Sequence, residues 1–274
     1  MKGKVILIGA GPGDPELLTV KAFRILQIAD VVLTDRLVSP EILATYVSPK
    51  AEIIYVGKQC RKGASTPQAT INELMVSHAN EGKLVVRLKG GDVSIFSNIL
   101  DELETLVENN IPYEIVPGVT AALGAAAYAG IPLTARNYAT ALRLLTAYKP
   151  DVVPANYWKE LAATDDTLVF YMSSETLADV VQNLCANKIS KDKLLAVVEQ
   201  ATTPFQKVHI SSLYEYDKKL SDKKFRSPTL VIIGKVVALH QQFDWFKPKN
   251  GSVEYFSSAD NKSINVSEPL ALTA

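Results

Sequence analysis

Three scarcities narrow the reading of this sequence before any motif is weighed. Only two cysteines occur, Cys60 and Cys185. They form no Cys-x-x-Cys pair and have no histidine set nearby, so neither a disulfide framework nor a cysteine-based zinc site is expected, and no metal is assigned. Long apolar runs are missing as well. Apolar stretches such as VILIG and LVII are strand-sized and far short of the about 18 residues of a spanning helix. Charge of one sign is absent too, since 29 Lys plus Arg balance 29 Asp plus Glu. Nucleic acid and anionic membranes usually call for a basic excess, so neither is an expected partner. Two lysines and a short apolar run open the chain, but the run meets Gly11, Pro12, Gly13 and Asp14 too early for the h-region of a signal peptide. It reads as the first strand of a cytoplasmic protein.

What is present is ordinary for a globular chain: 47% hydrophobic and 21% charged residues over 274 positions, enough for one large or two medium domains. Apolar runs alternate with segments of helical period. Val5 to Ile8, Val31 to Leu33, Ile53 to Val56, Leu84 to Leu88 and Tyr113 to Val116 read as strands, with helices over Glu16 to Ala29, Pro67 to Asn80 and Ile95 to Asn109. This predicts a mostly parallel sheet covered by helices. After Pro117 and Gly118 a small-residue helix opens a second series. Its strands are Ala141 to Thr146, Thr167 to Tyr171, Leu194 to Val198, Gln206 to Ile210 and Thr229 to Ile233, with helices near Ala155 to Ala163, Thr176 to Ala186 and Ser212 to Leu220. The expected organisation is two different α/β domains, 1–116 and 117–246, followed by a polar, aperiodic and disordered tail, 247–274.

Two glycine loops carry the chemistry. Gly9, Gly11 and Gly13 follow the first strand as in a dinucleotide fingerprint, yet the last glycine position holds Asp14, and Pro12 removes an N–H where a pyrophosphate needs donors. Without any ligand, the motif is also a tight strand-to-helix turn with Asp14 at the helix start. Gly90, Gly91 and Asp92 end a second strand. Ligands of open α/β sheets sit beyond the carboxyl ends of strands, so both loops can line one cleft. An aspartate in each loop suits a cofactor with hydroxyls and positive charge rather than phosphates, and S-adenosylmethionine has that chemistry.

The segments GAGPGDPELLTVKA, ADVVLTDRLVS, VGKQCRKGASTPQ, VVRLKGGD, PGVTAALGAAAYAGIPLTARNYA, TLVFYM, VVEQATTP and SPTLVIIGKVVALHQQFDWF occur in the order found in uroporphyrinogen-III C-methyltransferases, and the resemblance covers roughly residues 3 to 246. It extends to the methylase half of siroheme synthase. The resemblance implies the tetrapyrrole methylase fold, in which two α/β domains enclose a cleft for S-adenosylmethionine, and a homodimer. It implies methylation of uroporphyrinogen III at C2 and C7 to precorrin-2, the entry to siroheme and cobalamin, by a stand-alone methylase, since no dehydrogenase or ferrochelatase module precedes Met1. Matched position by position, the cofactor contacts fall on Pro12, Gly90, Gly91, Asp92, Ile95, Thr120, Ala121 and Met172, and on Ala201, where the family usually has glycine. Asp35 and Lys58 match the proposed proton acceptor and donor. Read without the resemblance, Asp35 can instead cap a turn and Met172 can fill a core.

Arg61, Lys62, Arg87, Lys89, Arg136 and Arg143 lie in or beside the loops of the expected cleft, where guanidinium groups can pair with the carboxylates of a tetrapyrrole. Arg61, Arg87 and Arg136 are the substrate candidates, Arg136 foremost because IPLTARNY matches the family's motif, while Arg87 can equally hold its neighbouring loop. The family's GGDPFIFGRGGEE is GGDVSIFSNILDE here, and its TGH is Thr146, Ala147 and Tyr148. These departures keep two other readings open: a related precorrin methyltransferase, or a cofactor-binding module without turnover.

Overall fold

The computed structural model describes residues 2–56, 66–147, 149–150, 153–251 and 253–256. They form two compact units, one running to Val119 and taking in Phe256, the other Thr120–Tyr255. In chain order the first contains β1 (Lys4–Gly9), α1 (Val20–Leu26), β2 (Val31–Thr34), α2 (Pro40–Thr45), β3 (Glu52–Tyr55), α3 (Gln68–Asn80), β4 (Leu84–Lys89), α4 (Leu100–Glu108) and β5 (Tyr113–Val116). The strands make a parallel sheet in the order β3-β2-β4-β1-β5. Alternation of side chains splits its core in two. Ile6, Ile8, Val32, Val86 and Leu88 pack with Ala22 and Leu26 of α1 and Ile42 and Leu43 of α2. Val5, Leu7, Val31, Leu33 and Val85 face the other way, onto Ile71 and Met75 of α3 and Leu106 of α4.

This order makes β1 and β4 a switch point. The chain leaves β1 toward β2 through α1 on one face, and leaves β4 toward β5 through α4 on the other. Right-handed crossovers in opposite directions require that arrangement. The loops after β1 and β4 therefore lie side by side at the point where ligands of such sheets bind.

The second unit holds α5 (Ala121–Tyr128), β6 (Leu142–Thr146), α6 (Ala155–Ala163), β7 (Thr167–Tyr171), α7 (Leu177–Ala186), β8 (Leu194–Glu199), β9 (Lys207–Ser212) and β10 (Thr229–Gly234). Its sheet runs β6-β7-β10-β8-β9. Only β6 and β7 pair in parallel; the other neighbours are antiparallel. The expected mostly parallel sheet thus describes the first unit but not this one. No helix separates β8 from β9, and so short a connection can only reverse the chain.

Three expected helices differ in extent. The helix over Glu16 to Ala29 is a single tight turn, Pro15–Leu17, and then α1, because Leu18 and Thr19 are extended and Thr19 caps the N–H of Ala22 at 3.2 Å. The helix from Ile95 starts at Leu100, since Phe96 (φ 51°) and Asn98 (φ 53°) are left-handed and cannot continue a helix. The segment Ser212 to Leu220 is a tight turn, Leu213–Glu215, followed by the one-turn helix Tyr216–Lys219. The short α2 is additional; Ser39 and Pro40 are its start signal. The tail expected to be disordered from 247 is partly folded: Tyr255 and Phe256 are buried, and Lys249 N–H donates to the Pro204 carbonyl at 2.6 Å. Residues 257–274 lie outside the described residues.

Candidate cofactor-binding site

In the first unit the two glycine loops are stitched together. Gly11 and Gly91 exchange backbone hydrogen bonds at 3.1 and 2.8 Å, and Ala10 N–H donates to the Lys89 carbonyl at 2.8 Å. The loop after β5 joins them. A Cβ on Gly118 would lie 2.3 Å from the Gly91 carbonyl oxygen, and one on Gly9 would lie 2.6 Å from Gly118 N, so backbone meets backbone where no side chain fits. Gly90 likewise presses on Leu37, whose Cβ would be 2.6 Å away from an added Cβ.

Asp92 secures the junction. One carboxylate oxygen accepts from Gly118 N–H at 2.9 Å and the other from the peptide and hydroxyl of Ser94. Burial opposes its charge, but the bonds from Ser94, Gly118 and Val93 together outweigh it and hold the carboxyl below its usual range. A carboxyl depressed in the folded state stabilises above its unfolded pKa, about 3.9, and loses that stabilisation as pH falls through the folded value. Wild type is therefore expected to unfold at a higher temperature than Asp92→Asn at pH 7, with the gap narrowing below about pH 4. A gap independent of pH in thermal unfolding would contradict this account.

Asp35, beyond β2, belongs to the same network. Its Oδ1 accepts from Leu37 N–H at 2.9 Å and its Oδ2 from Gly90 N–H at 3.4 Å. It therefore caps its own turn and also tethers the second glycine loop. Ile95 is half-buried between Asp92 and the left-handed Phe96.

The cationic candidates divide sharply. Arg87 is 4% exposed and Glu102 fully buried; Arg87 Nε donates to Glu102 at 2.9 Å, and Lys89 Nζ donates to the other oxygen at 2.8 Å. Arg87 Nη1 also donates to the carbonyls of Leu33 and Leu88. Arg87 is corrected from a substrate ligand to a residue that holds the end of β4 to α4, because inward-facing position on a central strand leaves it no access to solvent. Burial pushes the Lys89 ammonium below its usual pKa, against the pull of Glu102 and Asp35. Arg143 is paired with Asp166 at 2.6 Å and Glu160 at 2.5 Å. Arg136 differs: it is exposed at the tip of a turn closed by Ala135 and Ala139, and its guanidinium has no partner among the described residues. Lys58, Arg61 and Lys62 lie outside the described residues.

In the second unit the carboxyl ends of β7 and β8 share one sheet edge, because both run antiparallel to β10 between them. Thr120 precedes α5, and its hydroxyl pairs with the Tyr171 hydroxyl at 2.7 Å; the same hydroxyl accepts from Ala122 N–H at 3.0 Å. Tyr171 thus caps the helix that Ala121 begins, a role the sequence reading missed although TLVFYM contained it. Met172 follows at φ 54° and is 53% exposed, which removes the core-filling reading. Ala201, after β8, packs with Ala122 and Ala125 of α5. Its own φ is not positive; the left-handed residues are Gln200 (46°) and Thr202 (65°), each a strain on the order of 1–3 kcal/mol. The alanine in place of a glycine is therefore tolerated by the backbone.

These features fit a phosphate-free adenosyl cofactor. Where a pyrophosphate would need free N–H groups after β1, Asp14 already accepts from Glu16 N–H at 2.9 Å, and both cations of β4 are engaged by Glu102. Pro12 is buried, and its carbonyl accepts no hydrogen bond among the described residues, which leaves an acceptor beside the first glycine loop.

Comparison with known proteins points the same way. A siroheme synthase from Vesicomyosocius okutanii is 46% identical over 90% of this chain and 53% of its own length, so the chain spans about half of that relative. The crystal structure of a uroporphyrin-III C-methyltransferase from Thermus thermophilus complexed with S-adenosylhomocysteine superposes with a TM-score of 0.72 at 36% identity, covering 86% of this chain and 100% of that one. A cobalt precorrin-4 methyltransferase matches with a TM-score of 0.75 at 31% identity, over 85% and 95% of the two chains. The profile of the tetrapyrrole (corrin/porphyrin) methylases matches residues 4–217. With its glycine loops joined at the switch point and the family match running over residues 4–217, the chain belongs to the tetrapyrrole methylase family.

Proposed function

We propose that this chain methylates uroporphyrinogen III at C2 and C7 to give precorrin-2, using S-adenosylmethionine. The observation that carries the reading is the Gly11 to Gly91 bridge beside an Asp14 that occupies the helix start, a binding loop for a cofactor without phosphates. When bound, S-adenosylmethionine supplies an electrophilic methyl group. The chain holds it through Pro12, Gly90, Gly91, Asp92, Ile95, Thr120, Ala121, Met172 and Ala201. Arg136, exposed and without a partner among the described residues, takes a substrate carboxylate, and Asp35 favours the positive charge that develops on the macrocycle or receives its proton, with Lys58 as the donor. The proposal includes a homodimer and a cytoplasmic location.

Calorimetry is expected to register S-adenosylhomocysteine and S-adenosylmethionine but not NAD. Tight NAD binding with neither adenosyl ligand would overturn the cofactor reading. Single-turnover transfer of a labelled methyl group to uroporphyrinogen III tests the reaction; binding without transfer would favour the module without turnover. A related precorrin is the alternative substrate, because the segment between Asp92 and α4 departs from the family's motif. Product analysis separates the two.

A further inference from the structure

The loop between β8 and β9 holds an unusual density of buried polar side chains. Gln200, Thr202, Thr203 and Gln206 are all buried. Gln206 secures the loop from within, accepting from Thr202 N–H at 2.8 Å and donating to the Tyr128 carbonyl at the end of α5 at 3.1 Å. Gln200 faces elsewhere. Its Nε2 donates to the Val253 carbonyl at 3.0 Å and its Oε1 accepts from Tyr255 N–H at 2.7 Å, so the side-chain amide pairs with the chain's last described segment as a strand would. The same segment reaches the loop twice more, through Lys249 N–H on the Pro204 carbonyl and through Gly251 beside the Phe205 ring. The segment thus meets the loop at residues 249, 251, 253 and 255. This segment lies beyond the residues that carry the family resemblance.

We propose that residues 249–255 form a clamp that holds the 200–206 loop in its binding shape, with Gln200 as the positioning residue. Ala201 sits between Gln200 and Thr202, both left-handed, and a loop strained at two flanking residues keeps that shape only where the surroundings over-determine it. Gln206 supplies one anchor and the clamp the other. The inference rests on the proposed cofactor contact at Ala201.

The test is calorimetry with S-adenosylhomocysteine on the full chain, on Gln200→Met, on a chain ending at Phe256, on one ending at Phe246, and on the last combined with Gln200→Met. The chain ending at Phe256 is expected to bind like the full chain. Gln200→Met and the chain ending at Phe246 are each expected to bind about tenfold more weakly. Their combination should lose no more than either alone, because both remove the same contact. A synthetic peptide of residues 247–256 should restore affinity to the shortened chain but not to its Gln200→Met form, a rescue that general destabilisation would not give. Gln200→Met tests the clamp in an intact chain should the shortened one fail to fold. Unchanged affinity in a folded Gln200→Met protein, or losses that add, would overturn the clamp while leaving the cofactor reading intact; a full chain that binds no S-adenosylhomocysteine would remove both.

Discussion

Asp35→Asn is expected to slow single-turnover methyl transfer by about ten- to ten-thousandfold, the range for loss of an acid–base or charge-stabilising group. Asn preserves the shape and can still accept from Leu37 N–H through its amide oxygen, but its NH2 group cannot accept from Gly90 N–H. Two contributions must therefore be separated. If the carboxylate acts on the substrate, the rate at saturating methyl donor falls while S-adenosylhomocysteine affinity changes little. If its work is only to tether the glycine loop, affinity and thermal stability fall and the saturated rate survives. Unchanged transfer in a folded variant that binds the cofactor would sink the catalytic assignment.

Glu102→Gln is expected to destabilise the chain by about 3–5 kcal/mol, the penalty for removing one partner from a buried ionic cluster. Arg87 and Lys89 both rely on this carboxylate, and neither has access to water to replace it. Arg87 cannot release its proton, so the response falls on Lys89, whose pKa burial already holds below the usual value. In the variant Lys89 folds more readily when neutral. The unfolded chain then binds more protons than the folded one, and stability rises with pH toward the ordinary lysine pKa. Urea unfolding at pH 7 and pH 9.5 should show a large deficit that shrinks at the higher pH. A loss under about 1 kcal/mol, or a deficit that grows with pH, would contradict a buried cluster held by Glu102.

The contrast between Arg87 and Arg136 shows where sequence reasoning stops. Both are arginines beside family motifs, and composition cannot tell them apart. Register does: Arg87 lies opposite Leu7 and Leu33 in the middle of a parallel sheet, so its side chain points into a packed layer, whereas Arg136 sits exposed in the turn closed by Ala135 and Ala139. The other half of the cluster, Glu102, was unreadable because ionic partners on β4 and α4 are brought together only when the crossover packs on the sheet.

What the sequence alone determined was local or periodic. The strand runs of the first unit, the glycines at the ends of β1 and β4, the aspartate in each of their loops and the motif order that places the chain among tetrapyrrole methylases all depend on spacing along the chain, which is visible without a fold. Tertiary structure decided the rest. It set the mixed, mostly antiparallel course of the second sheet, the left-handed break that delays α4 to Leu100, the three-loop junction at Gly9, Gly91 and Gly118, and the return of Val253 and Tyr255 to Gln200. Each of these joins groups far apart in sequence, or fixes a backbone conformation that only surrounding contacts can hold, and no residue pattern encodes a partner it has not yet met.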